Sequence, residues 1–304
     1  MGSTVLSIAA PGERGWKQDP QAEQIVTSVL RVVERRFPEV RPQSLSLTLV
    51  LPDGGRARGH AHRGGELVYP ASLAKLFFLV ATVDWLEEGR LTETEELDRA
   101  LAAMIRQSGN DATAHVVDLL TETTAGPALP VRAFARWLKK REAINRHFAR
   151  WRCPEFHGIN LTQKTWSEAP YGREAASVAL PGNRNRLSSD AIARLLLAVR
   201  RGEVVGRRRS AGILRLLERP IAEADDKRDP MNQVLGFLGQ GLPAGARLWS
   251  KAGWTSSVRH DAAIVRLAGG VEFILMVMAD DKALAGNRKL LPFIARQVSR
   301  QLGG

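Results

Sequence analysis

The chain has 304 residues, enough for one large domain or two moderate ones that share a core. Hydrophobic residues make up 44% and charged residues 25%, which excludes a wholly disordered chain and a fibrous repeat. The formal net charge of +12 would suit an anionic partner, yet no nucleic-acid-binding motif accompanies it. We therefore interpret the excess as a solvated basic surface and expect neither a nucleic-acid nor a membrane partner.

The cysteine content and the N-terminal residues bear on the cellular compartment. Cys153 is the only cysteine, so no internal disulfide is expected. Residues 1–20 lack a basic stretch followed by an apolar run, so no signal peptide is visible. The longest strongly apolar stretch, residues 76–86, is too short to cross a bilayer. As written, the sequence predicts a cytoplasmic monomer, or a periplasmic or secreted protein if a leader was removed.

The first seventy residues pass from a helical pattern to strand patterns. Apolar residues recur at helical spacing over 21–36, with charges on the opposite side. Leucines at every second position of residues 45–51 predict a strand. Glycine-containing turns at 53–55 and 63–65 bound a short second strand, and a third is expected over 66–69.

The middle of the chain is predicted to be helical, because apolar residues recur at helical spacing between glycine and proline breaks. The exception is residues 152–186, which lack a periodic apolar pattern and predict a long ordered loop. Such a loop inside a compact domain is usually functional. The predicted helices cover residues 72–88, 95–106, a segment from 111, 130–148, 188–201 and roughly 207–218.

The last quarter returns to strands. Residues 258–267 and 271–279 flank an Ala-Gly-Gly turn and predict a hairpin. The second of these segments is nearly all apolar, as in a central strand. A closing helix is predicted over residues 286–302.

This order of elements predicts an α/β fold of the α+β sandwich type. An antiparallel sheet would collect strands from both chain ends, with flanking terminal helices and an all-helical insertion. We expect a discontinuous sheet domain of residues 1–69 and 219–304 and a helical domain of residues 70–218. A cleft between the two would hold the functional site.

Ser72 and Lys75 lie three residues apart at the start of a predicted helix, so the Lys75 amine can reach the Ser72 hydroxyl. A serine hydroxyl needs a nearby base to act as a nucleophile. The positive end of a helix and burial both lower the pKa of a lysine, and the helix N–H groups can bind an oxyanion. This spacing recurs by chance, with an N-cap serine and a solvated lysine as the structural alternative. The apolar residues around Lys75 favour a catalytic role for this lysine over the structural alternative.

Two further short motifs are Ser-Gly-Asn at 108–110 and Lys-Ala-Gly at 251–253. Taken alone, each of them has a purely structural explanation. The first lies at a helix junction, where serine or asparagine is a natural N-cap. The second precedes the hairpin and suits a lysine and a bend on an edge strand. In this order with Ser72 and Lys75, the motifs resemble the serine β-lactamase and penicillin-binding protein superfamily. The nearest similarity is to class A β-lactamases and β-lactamase-like serine hydrolases.

The resemblance implies a β-lactamase-like fold over nearly the whole chain and an acyl-enzyme formed at Ser72. It makes Lys75 the base partner or proton relay and Ser108 the proton shuttle to the leaving group. Lys251 would supply positive charge to Ser108 and to a substrate carboxylate.

The resemblance also implies which residues bind the small acyl substrate. Asn110 would contact the substrate and Lys75. The backbone N–H groups of Ser72 and Trp254 would form the oxyanion hole. No cofactor and no metal are expected.

The sequence departs from the family pattern in three places. Gly109 stands where an acid is usual. Ala252 stands where a hydroxyl residue usually helps to hold the substrate carboxylate, and Thr255 or Ser256 is the candidate replacement. The interval between the first two motifs is short for a class A enzyme, so part of one cleft wall is expected to be missing.

A base for deacylation is the largest gap in the resemblance. Class A enzymes carry a loop glutamate, followed by Leu-Asn, that activates water. Glu142 and Glu155 precede Ile-Asn pairs at the wrong spacing, and Glu168 and Glu174 lie in the loop without the pattern. We interpret each as a solvated carboxylate and expect acylation to outpace release.

The leading hypothesis is a serine acyl hydrolase that cleaves a β-lactam, amide or ester through an acyl-enzyme at Ser72. The alternative is a catalytically weak penicillin-binding or ligand-binding protein that retains the fold. A nucleic-acid binder rests on net charge alone.

Overall fold

The computed structural model describes residues 15–53, 56–221 and 231–304, and strands come from both ends of that span. Within these residues the strands are β1 (Lys17–Gln18), β2 (Leu45–Asp53), β3 (Arg56–His62), β4 (Glu218–Arg219), β5 (Arg247–Trp254), β6 (Arg259–Arg266) and β7 (Glu272–Ala279). They form one seven-stranded sheet in the order β1-β3-β2-β7-β6-β5-β4. Neighbouring strands are antiparallel except β1 and β3, which run parallel. The predicted fold class is therefore confirmed.

Helices cover both faces of this sheet. Within the described residues they are α1 (Pro20–Arg36), α2 (Ala74–Glu87), α3 (Glu95–Arg106), α4 (Asn110–Thr121), α5 (Val131–Arg141), α6 (Ala143–Ala149), α7 (Gly172–Val178), α8 (Ser189–Arg201), α9 (Gly206–Leu217), α10 (Lys282–Ala285) and α11 (Leu290–Gln301). Helices α1 and α11 share an apolar core with one face of the sheet, and α2, α3, α4, α8 and α9 share another with the opposite face. None of these helices has the length and apolar character needed to cross a membrane.

Short polar residues begin several helices by satisfying the free N–H groups of the first turn. The Asp19 carboxylate accepts a hydrogen bond from the N–H of Ala22 at 3.0 Å, just before α1. The hydroxyls of Thr94 and Ser188 do the same at the start of α3 and α8. These local caps explain why the predicted helix starts lie close to the observed ones.

Strand β7 separates the two cores. Phe273, Leu275 and Val277 pack towards the terminal helices, whereas Ile274 and Met276 face the helical segment. A strand that is covered on both faces needs apolar side chains at every position. This explains why its sequence is nearly all apolar.

Helix α2 is buried on nearly every side, so its sequence lacks the polar stripe of a surface helix. The Phe77 ring centroid lies 4.9 Å from that of Phe148 and 5.6 Å from that of Phe156. Lys75 is fully buried in the first turn of this helix. A charged amine in such surroundings is costly, which marks Lys75 as an unusual residue.

Residues 152–186, predicted to form a long loop, contain helix α7 and a short 3₁₀ turn. The backbone groups of Asn160 and Arg186 bond each other at 3.0 and 2.9 Å. The Asn185 side chain accepts from the N–H of Gln163 at 2.9 Å and donates to its carbonyl at 2.8 Å. Such hydrogen bonds satisfy the buried polar backbone of this segment without a regular ladder.

Residues 66–69, predicted to form a third strand, are not a strand. Among them only Val68 forms a bridge, through two backbone hydrogen bonds of 3.0 Å with Leu187. Strand β3 already has β2 on one side and β1 on the other, so this segment has no place in the sheet. It crosses instead towards the turn that carries Ser72.

Other predicted boundaries also differ. The helix predicted over 130–148 is two helices, α5 and α6, which are separated at Glu142. The closing helix begins at Leu290 and not at 286, because residues 286–289 form a turn in which the Asn287 side-chain oxygen accepts the Leu290 N–H at 3.1 Å. Strand β5, which carries Lys251, was not assigned as a strand from sequence.

Two predictions are not tested by these elements. Of the turn predicted at 53–55, residues 54 and 55 lie outside the described residues. The division into a sheet domain and a helical domain stays a prediction.

Candidate active site

Ser72 lies in a 3₁₀ turn, Ala71–Leu73, that leads directly into α2. Ala71 adopts a left-handed backbone conformation, with φ of 48°, which is strained for a residue with a Cβ atom. Strand β5 approaches this turn so closely that a Cβ at Gly253 would lie 2.9 Å from the Pro70 carbonyl oxygen and 3.1 Å from the Ser72 nitrogen. The third motif therefore requires glycine at position 253, because the serine turn packs directly against strand β5 there.

The Ser72 side chain is half-buried. Its hydroxyl has no hydrogen-bond partner within the part of the chain that the structure describes. The turn therefore presents a serine hydroxyl that is not committed to a structural bond.

Lys75 lies one helical turn beyond Ser72 and is fully buried. Its amine donates to the Ser108 carbonyl at 2.5 Å, to the Ser108 hydroxyl at 3.2 Å and to the Asn110 side-chain oxygen at 2.9 Å. Burial lowers the pKa of Lys75 to about 7. A substantial fraction of Lys75 is therefore neutral at neutral pH and able to accept a proton.

Ser108 connects helices α3 and α4 and joins the two buried lysines. Its φ of 56° is left-handed, which is uncommon for serine. Its hydroxyl lies 3.2 Å from the Lys75 amine and 3.0 Å from the Lys251 amine. The three groups form a continuous path along which a proton can move.

Gly109 stands in this junction where the family pattern usually has an acid. A Cβ at this position would lie 3.3 Å from the Ala103 carbonyl oxygen, which is tighter than an ordinary contact. The carbonyl oxygen of Ala103 also accepts the N–H of Gly109 at 3.0 Å. The close backbone contact favours glycine and accounts for this departure.

Lys251 lies on β5 and is fully buried. Its amine donates to the Gln233 side-chain oxygen and to the Ala252 carbonyl, both at 2.6 Å, and to the Ser108 hydroxyl. Burial lowers its pKa well below the usual range, and the charges of Lys75 and Arg219 lower it further.

Asn110 begins α4 and connects the lysines to the long loop. Its side-chain oxygen accepts from Lys75, and its side-chain nitrogen donates to the Trp166 carbonyl at 2.9 Å. The loop group that contacts Asn110 is thus a backbone carbonyl and not a carboxylate.

Trp254 and Thr255 follow Gly253 at the end of β5. The Trp254 ring packs against Phe237 with a centroid distance of 5.3 Å, which anchors its side chain and leaves its backbone next to the serine turn. Thr255 is exposed, and its hydroxyl accepts from the Ser257 N–H at 3.0 Å. The structure therefore brings Lys75, Ser108, Asn110 and Lys251 together by hydrogen bonds, whereas the Thr255 hydroxyl bonds within its own turn.

The loop glutamates lie away from this network, and the interpretation of all of them as solvated is wrong. Glu174 is buried and pairs with Arg141 and with Lys164, whose amine is 3.7 Å away. Burial raises the pKa of Glu174, although both cations oppose the rise. One carboxylate oxygen of Glu155 is buried without a hydrogen-bond partner. Glu168 is exposed and lines, with Asp111 and Trp166, a cavity of about 340 Å³ between α4 and the loop.

Gln233 and Arg219 also belong to the site, and sequence analysis missed both. Gln233 is buried and bonds the Lys251 amine, and Arg219 donates to the Ser250 carbonyl at 3.3 Å. Neither residue lies in a motif, and neither shows a periodic pattern. Their roles arise only because each side chain bonds both the last carbonyls of α3 and strand β5.

Solved structures of PBP-A and of β-lactamases share this fold. The structure of PBP-A is 19% identical, covers 95% of this chain and 98% of its own, and has a TM-score of 0.63. A β-lactamase from Sphaerobacter thermophilus DSM 20745 is 18% identical over 91% of this chain and 97% of that one, with a TM-score of 0.66. An ancestral class A β-lactamase is 17% identical over 92% and 99%, with a TM-score of 0.63.

The fold and the three motifs together place the chain in the serine β-lactamase and penicillin-binding protein superfamily, as the sequence predicted. The sequence profile of the beta-lactamase enzyme family matches residues 45–302. Because this match covers most of the chain, the protein belongs to that family. No curated protein sequence matches the chain.

Proposed function

We propose that the protein is a serine acyl hydrolase that forms an acyl-enzyme at Ser72 with a small β-lactam, amide or ester substrate. The observation that carries this proposal is the buried, hydrogen-bonded arrangement of Lys75, Ser108 and Lys251 behind an uncommitted serine hydroxyl. Burying two amines costs free energy, and an arrangement of this kind is typical of a catalytic site rather than of a structural core.

Lys75 supports the first step as the general base. A neutral amine has two N–H donors and one lone pair. The two donors can remain on the Ser108 carbonyl and on Asn110, and the lone pair is then free to take the Ser72 proton. The Ser72 oxygen attacks the carbonyl carbon, and the resulting oxyanion is stabilised by the backbone N–H groups of Ser72 and Trp254.

Collapse of this tetrahedral intermediate breaks the bond between the carbonyl carbon and the leaving nitrogen or oxygen. The leaving atom takes a proton from the Ser108 hydroxyl, and protonated Lys75 replaces that proton. Lys251 holds the Ser108 hydroxyl from the other side and, when charged, attracts an anionic group of the substrate. Protons and electron pairs balance, and the acyl group remains on Ser72.

The second step, hydrolysis of the acyl-enzyme, needs a water molecule and a base. The described loop residues beside Asn110 supply no such base. Glu174 is held by Arg141 and Lys164, and Glu168 is exposed on the loop. The loop contributes the Trp166 carbonyl beside Asn110, and a carbonyl cannot take a proton from water at neutral pH. This favours a second candidate function, a penicillin-binding protein that acylates readily and releases its product slowly.

Intact-mass spectrometry with a fluorescent penicillin tests the proposal. We expect one covalent adduct in the wild type and none in Ser72→Ala. The variant Ser167→Ala, which removes an exposed hydroxyl within the loop, serves as the matched control and should label normally. Labelling of Ser72→Ala at the wild-type rate would contradict the assignment of the nucleophile. Persistence of the adduct for many minutes would favour the penicillin-binding function over rapid hydrolysis.

A further inference from the structure

Gln233 joins the segment that carries Ser108 to the strand that carries Lys251. Its side chain is buried, with a relative exposure of 3%. The side-chain nitrogen donates to the carbonyl oxygens of Ile105 and Arg106 at 3.2 and 2.9 Å, and the side-chain oxygen accepts from the Lys251 amine at 2.6 Å. The same oxygen accepts from the backbone N–H of strand β5 at Ala252, at 3.2 Å.

The neighbours of Gln233 fix the orientation of its amide. The carbonyls of Ile105 and Arg106 can only accept hydrogen bonds, so the NH₂ group must face them. The oxygen then faces the amine and the backbone N–H of β5. Both hydrogens and both lone pairs of the amide are used, which leaves one arrangement of the side chain.

Arg219 reinforces this connection. Its guanidinium donates to the carbonyls of Ile105 and Arg106 at 2.8 and 3.1 Å and to the Ser250 carbonyl on β5. These two carbonyls end α3, where helix carbonyls lack partners within the helix. The left-handed Ser108 follows two residues later, so its position depends on where the end of α3 is held.

We propose that Gln233 is a positioning residue for acylation, which holds the Lys251 amine against the Ser108 hydroxyl through a neutral acceptor. This inference rests on the proposed function. A carboxylate in place of the amide would compensate the charge of Lys251 and would repel the carbonyls of Ile105 and Arg106. An apolar side chain would remove one of the three acceptors of the buried amine and would release the end of α3. Glutamine satisfies both sides at once.

The charged groups that face Lys251 come from several elements. Lys75 on α2 and Arg219 on β4 lower the pKa of Lys251, and Asp261 on β6 raises it. A new carboxylate at position 233 would lie closer than any of these. It should therefore keep Lys251 protonated to higher pH, which gives a readout that loss of packing alone would not produce.

The experiment measures the rate constant of Ser72 acylation by a fluorescent penicillin between pH 5 and 10. Gln233→Met, which keeps the length of the side chain, should lower the rate constant roughly 10- to 100-fold. At alkaline pH the rate constant should fall where Lys251 loses the charge that attracts the substrate, and Gln233→Glu should move this fall upwards by about one pH unit or more. Gln240→Met is the matched control, because the Gln240 side chain accepts a backbone N–H in the same segment without contacting Lys251. It should keep the wild-type profile.

Two results would overturn the positioning role. One is a Gln233→Met variant that acylates at the wild-type rate. The other is a Gln233→Glu variant that loses rate equally at every pH, as a structural defect would cause. If the first variant fails to fold, the profile of the second still decides. Absence of labelling in the wild type would instead overturn the proposed function, so the two failures are distinguishable.

Discussion

The two sides of the candidate active site differ in how completely they are built. On one side, Ser108 lies between the buried amines of Lys75 and Lys251, at 3.2 and 3.0 Å. On the other side, the loop of residues 152–186 contributes a backbone carbonyl, that of Trp166, to Asn110. The first side can move protons during acylation. The second side offers no titratable group among the described residues that contact Asn110 from the loop.

The acidic residues of the loop region instead hold the loop to the helical segment. Arg141 on α5 bonds Glu174 on α7, and the Lys164 amine lies 2.6 Å from the Asp118 carboxylate on α4. Two cations hold the Glu174 carboxylate in place, so it is committed to ion pairs and is not free to activate a water molecule at Ser72, although burial raises its pKa. The difference teaches that a glutamate in the right loop is not evidence for deacylation until its partners are known.

The largest expected effect is the fall in the acylation rate constant when the base, Lys75, is replaced. Lys75→Arg should lower the acylation rate constant about 10²- to 10⁴-fold, because guanidinium stays protonated and cannot accept the Ser72 proton. Stopped-flow fluorescence with a reporter penicillin measures this rate. Lys140→Arg, on an exposed part of α5, is the control and should behave as the wild type. An arginine variant with near-normal acylation would show that the base lies elsewhere.

The pH dependence of acylation in the wild type also tests whether Lys75 is the base. Because the pKa of buried Lys75 is about 7, the amine is protonated below that pH and cannot act as a base. The acylation rate constant should therefore rise as the pH increases through about 7. A rate that is flat between pH 5 and 9 would contradict a general base with this pKa.

The contrast between the two sides predicts burst kinetics. With a chromogenic β-lactam in excess, product should appear in a burst close to one equivalent of enzyme and then at a slow steady rate. Glu168→Gln should leave both phases unchanged, because the exposed Glu168 side chain bonds none of Lys75, Ser108 and Lys251 within the described residues. Fast linear turnover in the wild type, converted to a burst by that substitution, would show that the loop does reach the acyl-enzyme.

Removal of the loop anchor should affect stability more than chemistry. Glu174→Gln leaves the buried Arg141 without its closest carboxylate and should lower the free energy of unfolding by about 3–5 kcal/mol. Urea denaturation measures the difference, with the exposed Glu168→Gln as the control. A change below about 1 kcal/mol would mean that Asp118, 3.4 Å from Arg141, compensates the charge by itself.

The smallest expected effect concerns Asp261, which is fully buried on β6 and accepts from the Leu238 N–H at 2.9 Å. Burial raises the pKa of Asp261 to about 7, above its value of about 4 in an unfolded chain. The folded state therefore holds the proton more tightly, and this contribution to stability is lost as the pH rises from about 4 to 7. Asp261→Asn should remove that slope, so the variant gains on the wild type between pH 5 and pH 8 in urea melts. If the free energy of unfolding changed with pH in the same way in both proteins, a raised pKa of Asp261 would be contradicted.

Much of the fold could be predicted from the sequence, because helix and strand periodicities arise from local backbone geometry. The alternating leucines of β2 belong to the core under the terminal helices, the nearly all apolar β7 is covered on both faces, and α2 is buried on nearly every side. Residues 66–69 misled the prediction, because a strand also needs a free neighbour, and β3 already has two. Strand β5 was missed because its sequence mixes a lysine, two tryptophans and a glycine that only the serine turn explains.

The sequence by itself determined that Ser72 and Lys75 share a helix face, since a spacing of three residues requires no tertiary information. Only the tertiary structure decided that Lys251 meets Ser108 across 143 residues of chain, that Gln233 accepts from Lys251 and that Glu174 is committed to an ion pair. The motif order indicated the first of these contacts through resemblance, and no local signal indicated the other two. Periodicity records how a segment faces its surroundings, whereas a buried polar contact depends on where two distant backbones come to rest.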